Sequence, residues 1–166
     1  MDCRFQLYPQ AEFRKSHEFR AFLNVYRQFV ADVVVPLVGD PRGVLFQCPP
    51  TLRVVLPSDH AVGKLHKDGD YGGHEESEIN FWCPITDVSG ANTLYLESVP
   101  GCGDYRPLEM RYGEVLRFNG LKCRHHTVPN TSDRCRVSFD FRVIPRSFWR
   151  DDFAQRTGSY DLELAV

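Results

Sequence analysis

The sequence predicts a mainly β protein of the jelly-roll type, a double-stranded β-helix with one amphipathic helix packed outside one sheet. Two observations carry this prediction. Beyond residue 43, short runs rich in β-branched and aromatic residues are separated by Gly, Pro, Asp and Asn. No long helical segment separates these runs, which excludes a parallel βαβ architecture and favours an antiparallel sandwich or barrel.

The single helix is expected over residues 15–35. Its apolar residues follow the i, i+3, i+4, i+7 spacing of one helix face: Phe19, Phe22, Leu23, Tyr26, Phe29, Val30 and Val33. Ser16 is a suitable N-cap, and Pro36 is expected to end the helix. Because the stripe is strongly aromatic, we expect it to pack against a sheet.

The strands are expected within a barrel that covers residues 44–145. The predicted runs are 44–48, 52–56, 63–68, 78–85, 93–98, 108–111, 114–118, 124–128 and 135–144. The tail 146–166 is expected to dock on the barrel through Phe148, Trp149 and Phe153. A chain of 166 residues is then one domain over 1–166.

The last predicted strand has two distinct faces. One parity is apolar and the other is polar: Val137, Phe139, Phe141 and Val143 against Arg136, Ser138, Asp140 and Arg142. The helix would cover the apolar face. The polar face would then line the space between two sheets, where buried charges need partners or a ligand.

Composition excludes several classes of function. A net charge of −2 gives no reason to expect binding to nucleic acid or to an anionic membrane. The six cysteines form no CxxC pair, so neither a zinc ribbon nor a thioredoxin-type pair is predicted. We find no leader peptide and no apolar run near 20 residues, and therefore expect a reduced cytoplasmic protein without a membrane span.

A metal site is predicted from His66 and Asp68. On a strand these residues leave the same face, so an imidazole and a carboxylate can meet at one point. A further histidine, either His125 or His126, would complete a facial triad that suits non-haem Fe(II).

A dicarboxylate site is predicted beside this triad. The guanidinium of Arg136 can hold a carboxylate through two hydrogen bonds, and the Ser138 hydroxyl can add a third. The alternative is a salt bridge from Arg136 to Asp140 on a solvated sheet face.

The combined pattern resembles the Fe(II)- and 2-oxoglutarate-dependent oxygenases. It comprises His66-x-Asp68, His125 and Asn130-Thr131-x-x-Arg134-x-Arg136-x-Ser138. Within 52–145 the chain is similar to a branch with an oxygenase-like protein of streptomycin-type clusters, and distantly to phytanoyl-CoA dioxygenases. The resemblance implies His66, Asp68 and His125 as iron ligands and Arg136 with Ser138 for 2-oxoglutarate. His126 stands where relatives usually have glycine.

The resemblance implies a dioxygenase that uses Fe(II), 2-oxoglutarate and O2 to hydroxylate or desaturate a small polar metabolite, free or attached to a carrier. Asp68 argues against halogenation. Asn80, Thr93 and Tyr95 are candidates to steady the cofactor or the metal ligands, and Arg53, Lys64 and His74 to contact substrate. The alternatives are a metal-dependent cupin isomerase or epimerase and a non-catalytic binding module.

Overall fold

The computed structural model describes residues 14–150 and 161–166. Within these residues the chain forms one helix and nine short strands. The strands are β1 Val44–Gln47, β2 Thr51–Val55, β3 Ile79–Pro84, β4 Tyr95–Leu96, β5 Arg106–Pro107, β6 Leu116–Phe118, β7 His125–His126, β8 Arg136–Pro145 and β9 Leu162–Ala165.

The strands form two antiparallel sheets. The larger sheet has the order β6-β3-β8-β1-β9, and β2 pairs with the first half of β8. The smaller sheet has the order β5-β4-β7. An isolated bridge between His66 and His125 extends its β7 edge. The predicted mainly β, double-sheet fold is confirmed, although the described residues do not close into a barrel.

Helix α1 begins as predicted and ends later than predicted. It runs over His17–Phe29, continues through a wide turn at Val30–Val34 and ends with Val35–Val38. The Ser16 hydroxyl caps it by accepting the Phe19 N–H at 3.1 Å. Pro36 does not end the helix, because it lies in the first turn after the wide turn, where proline's missing N–H is tolerated. Gly39 ends the helix in a left-handed conformation, with φ 72°.

The core lies between α1 and the apolar face of β8. Tyr26 packs edge-on against Phe141 with ring centroids 5.2 Å apart, and its hydroxyl donates to the Gln47 carbonyl at 2.7 Å. The other main buried members are Val30, Val34, Val44, Phe46, Phe81 and Val143. Because this face is buried against the helix, the polar side chains of β8 point toward the smaller sheet, as predicted.

One helix bears on the expectation that no segment spans a membrane. By length and composition alone, the helical segment His17–Val38 could cross a bilayer. This is weak evidence, since a core helix passes the same test. In this fold its apolar face covers the larger sheet, with Tyr26, Val30 and Val34 buried.

Several predicted strands are shorter than expected, and 63–68 is not a strand. His66 forms only a single bridge, and Asp68 begins a 3-10 turn, Asp68–Asp70. The turn arises where the Lys67 N–H donates to the Asp70 carboxylate at 3.2 Å. Likewise 93–98 shrinks to β4, and 108–111 leaves only a bridge between Met110 and Val88.

In the tail, Phe148 was expected to dock on the barrel but is 64% exposed. The end of the tail joins the larger sheet as strand β9, which pairs with β1. Phe153 lies outside the described residues. The five described cysteines are unpaired: Cys48, Cys83, Cys102, Cys123 and Cys135.

Candidate metal centre

Three side chains converge between the two sheets. Candidate ligand atoms of His66, Asp68 and His125 all lie within 4.8 Å of one another. Each Nε2 is 3.9 Å from Oδ1 of Asp68, and the two imidazole centroids are 4.4 Å apart. The pairing that brings them together is reciprocal: His66 and His125 exchange backbone N–H to O=C bonds at 3.1 and 2.8 Å. The loss of the predicted strand 63–68 therefore leaves the predicted convergence intact.

Backbone carbonyls orient both imidazoles. Nδ1 of His66 lies 2.7 Å from the Lys64 carbonyl oxygen, and Nδ1 of His125 lies 3.1 Å from that of Cys123. A carbonyl oxygen only accepts, so Nδ1 carries the proton and Nε2 presents a lone pair. Both lone pairs are therefore available for a metal beside Asp68, which is the tautomer that histidine ligands need.

Asp68 has one oxygen engaged and one available. Its Oδ2 accepts from Asn80 Nδ2 at 2.7 Å and from Arg142 Nη2 at 3.0 Å. Burial raises the pKa of the carboxyl, but Arg142 and Asn80 outweigh that effect, and the pKa lies below the ordinary aspartate value. Burial also lowers the pKa of His125. The site therefore holds an ionised carboxylate and a neutral imidazole, the forms that bind metals.

A chain of ion pairs runs along the floor of the site. Asp140 pairs with Arg53, and its Oδ2 lies 3.7 Å from Nη1 of Arg142. Arg142 is thus shared between Asp140 and Asp68. The alternative salt bridge from Arg136 to Asp140 does not form, and Asp140 pairs with Arg53 and lies beside Arg142 instead.

Arg136 and Ser138 are buried polar groups in need of a partner. They are 3% and 0% exposed, and both Nε of Arg136 and Oγ of Ser138 are buried without a hydrogen-bond partner. Burial, helped by the neighbouring charge of Arg53, lowers the pKa of Arg136 to about 10. The guanidinium lies 5.9 Å from the Trp82 ring centroid. A buried cation in this state is the environment that an anionic ligand would complete.

The other three candidate site residues lie in different surroundings. Asn80 holds the metal-site carboxylate, as described. Thr93 is fully buried, and its Oγ1 has no hydrogen-bond partner. Tyr95 does not lie where it was expected, beside the metal ligands. It pairs in register with His126, and the two rings are 5.3 Å apart. Because side chains alternate along a strand, both lie on the face opposite His125. Tyr95 is therefore away from the triad, and His125 rather than His126 joins it.

Of the residues expected near substrate, Arg53 lies on the polar floor. His74 bonds through Nδ1 to Glu78 at 2.8 Å. Lys64 is exposed and supplies its carbonyl to His66.

Sequence reasoning missed two residues that organise the site. Arg142 belonged to the predicted polar face, but nothing in its spacing indicated Asp68 as its partner. Glu97 is 1% exposed and accepts backbone N–H groups from Arg124 at 2.6 Å, Gly101 at 3.1 Å and Gly103 at 3.2 Å. It ties a glycine-containing loop to the residue before His125.

Glu97 leads to a prediction about pH. The Arg124 N–H, followed by those of Gly103 and Gly101, holds the pKa of this carboxyl below its ordinary value. A lowered folded-state pKa adds stability above the unfolded-state pKa, and that stability is lost as pH falls through the folded-state value. We therefore expect the wild type to exceed Glu97→Gln in free energy of unfolding near neutral pH, by a margin that shrinks in acid. Urea unfolding across an acidic pH series measures it, and a pH-independent margin would contradict it.

Gly120 leads to a second prediction. A Cβ at this position would lie 2.5 Å from Cγ of Asn80, whose side chain accepts the Gly120 N–H and donates to Asp68. Gly120→Ala is expected to displace that amide and lower the free energy of unfolding by about 1–3 kcal/mol. Gly72→Ala is the matched control, since nothing lies within 4 Å of its Cβ. Thermal unfolding of both variants tests the difference, and equal free energies of unfolding would refute it.

The two-sheet fold is similar to that of solved non-haem iron, 2-oxoglutarate-dependent oxygenases. Among solved structures, the carbocyclase SnoK from nogalamycin biosynthesis has a TM-score of 0.57 at 16% identity, over 79% of this chain and 60% of SnoK. The non-haem monooxygenase ThoJ, as a nickel complex, has a TM-score of 0.53 at 21% identity, over 70% of this chain and 49% of ThoJ. HygX from Streptomyces hygroscopicus, with nickel and 2-oxoglutarate bound, has a TM-score of 0.52 at 11% identity, over 77% of this chain and 67% of HygX.

In sequence the chain is similar to the streptomycin biosynthesis protein StrG from Streptomyces griseus. The two are 43% identical over 131 residues, which cover 78% of this chain and 61% of StrG. The chain thus spans about three fifths of that relative's length. No protein-family model matches the chain. The resemblance predicted from the motifs is confirmed.

Proposed function

We propose that this protein is an Fe(II)- and 2-oxoglutarate-dependent dioxygenase that hydroxylates or desaturates a small polar metabolite, with release of succinate and CO2. One observation carries the proposal: a His-Asp-His cluster, with Asp68 and His125 buried, is accompanied by a buried Arg136 on the polar face of β8 whose Nε has no hydrogen-bond partner. A metal site alone would explain the cluster but not the arginine. Proteins of similar fold include a non-haem monooxygenase and a 2-oxoglutarate-dependent carbocyclase, in keeping with this chemistry.

Each residue has a distinct task in this proposal. His66, Asp68 and His125 would hold the iron, and Arg136 with Ser138 would bind the distal carboxylate of 2-oxoglutarate. Iron with the keto acid bound supplies oxidation of an unactivated carbon by O2, while the protein supplies geometry and a water-poor site. Phe118 helps to exclude water, since its ring packs edge-on against His125 at 5.5 Å.

Substrate is proposed to approach on the His66 side of the metal. The His66 side chain is 27% exposed, against 11% for His125 and 5% for Asp68. The exposed Tyr71 ring packs against His66 at 5.5 Å, and the neighbouring Leu65 is exposed as well. A small molecule, free or carrier-attached, can reach the metal from this side.

We place the protein in the cytoplasm, with no nucleic-acid or membrane partner.

The test is anaerobic addition of Fe(II) and 2-oxoglutarate to the purified protein. We expect a weak visible absorption band from metal-to-ligand charge transfer, and slow formation of succinate once air is admitted. A metal-dependent isomerase would give neither signal and would leave Arg136 without a role. Absence of the band together with absence of succinate would reject the proposed function.

A further inference from the structure

The Asp68 carboxylate is held asymmetrically. Two donors from the larger sheet converge on Oδ2, the Asn80 amide at 2.7 Å and the Arg142 guanidinium at 3.0 Å. Oδ1 faces the two histidine Nε2 atoms instead, each at 3.9 Å. The side chain is 5% exposed, so water does not compete effectively with these donors.

Both donors are themselves anchored. The Asn80 Oδ1 accepts the Gly120 N–H at 3.0 Å. Arg142 Nη1 lies 3.3 Å from Oε1 of Gln47 and 3.7 Å from Oδ2 of Asp140. These contacts orient the guanidinium from two strands, β1 and β8. The donors on Oδ2 are therefore fixed by the sheet rather than by Asp68 itself.

The number of carboxylate oxygens bound decides how many metal positions stay open. Two imidazoles and one oxygen leave three positions of an octahedron, enough for a chelating keto acid and O2. If both oxygens bound, two positions would remain, and the keto acid would compete with the second oxygen or leave no place for O2.

Resting on the proposed function, we propose that Arg142 is a positioning residue that, together with Asn80, occupies Oδ2 of Asp68 and confines this carboxylate to one-oxygen metal ligation. The consequence is an open pair of positions for a bidentate ligand. Arg142 touches neither the metal nor the keto acid in this role, and its effect passes through Asp68.

The test uses Ni(II)-loaded protein and two bidentate ligands, 2-oxoglutarate and oxalate, titrated by calorimetry. Oxalate chelates the metal without a distal carboxylate and so does not need Arg136. In Arg142→Gln and in Asn80→Ala, freed Oδ2 is expected to bind Ni(II), and the affinity for both ligands to fall by about tenfold. Ni(II) itself should bind at least as tightly as in the wild type. Arg136→Ala, in contrast, should lose affinity for 2-oxoglutarate and keep it for oxalate.

The two variants separate positioning from charge and from folding. Asn80→Ala changes no charge, so a purely electrostatic role of Arg142 predicts wild-type oxalate affinity there, which would overturn the proposal. Loss of Ni(II) from both variants would indicate a merely structural role and overturn it too. Unchanged oxalate affinity in both variants would also overturn the proposal. If wild-type Ni(II) protein binds oxalate but not 2-oxoglutarate, the proposed function fails while the oxalate comparison still tests Arg142.

Discussion

Replacing Arg136 by alanine is expected to raise the Kd for 2-oxoglutarate by about 100-fold or more, since losing one partner of a buried charge pair costs about 3–5 kcal/mol. Arg136 is 3% exposed, and its Nε is buried without a hydrogen-bond partner. Ni(II) binding should persist, because the triad does not include Arg136. Calorimetric titration of Ni(II)-loaded protein measures both affinities.

The control for this substitution is Arg134→Ala. Arg134 lies two residues earlier, and its side chain is 78% exposed, so its removal should leave the 2-oxoglutarate affinity unchanged. A second readout concerns stability without ligand. Arg136→Met removes a buried charge at similar volume and is expected to raise the midpoint of thermal unfolding. An unaltered Kd in Arg136→Ala would refute the assignment of this arginine.

Replacing His125 by alanine is expected to weaken Ni(II) binding by about 100-fold or more, from the share of metal-binding free energy that one ligand of a small site supplies. Its Nε2 faces Oδ1 of Asp68 at 3.9 Å, and burial favours its neutral, metal-binding form. Equilibrium titration with Ni(II) against a chromophoric competitor measures the loss.

His126→Ala is the matched control, one residue away on the same strand. The His126 ring packs against Tyr95 and Tyr105, with centroids 5.3 and 5.2 Å away, on the opposite face from the triad. Ni(II) affinity should therefore be retained. If His126→Ala lost the metal and His125→Ala kept it, the face assignment of β7 would be wrong.

Local periodicity predicted the parts of the fold that depend on one element at a time. The 3.6-residue stripe in α1 and the two-residue alternation in β8 identified which side chains meet, as Tyr26 and Phe141 now do. The same alternation turned Arg136 and Ser138 toward the space between the sheets. Element ends were less predictable: Pro36 lies inside the helix, and Asp68 begins a 3-10 turn.

The choice between the two histidines needed pairing as well as alternation. His125 joins the triad because β7 pairs with β4 and bridges to His66, which turns one face of β7 toward Asp68. The same pairing carries Tyr95 to the other face, with His126. No spacing within the sequence encodes which face of a two-residue strand looks inward, since both neighbours of that strand are distant along the chain.

The sequence by itself determined the two-sheet class, the helix face, and His66, Asp68 and Arg136 as candidate site residues, because these follow from side-chain periods and from the chemistry of His, Asp and Arg. The third triad member, His125 rather than His126, needed the strand pairing. Tertiary structure alone decided that Arg142 and Asn80 hold Oδ2 of Asp68 and that Glu97 ties a loop to the residue before His125. Such contacts join residues 12 to 74 positions apart, and long-range packing of the sheets selects them.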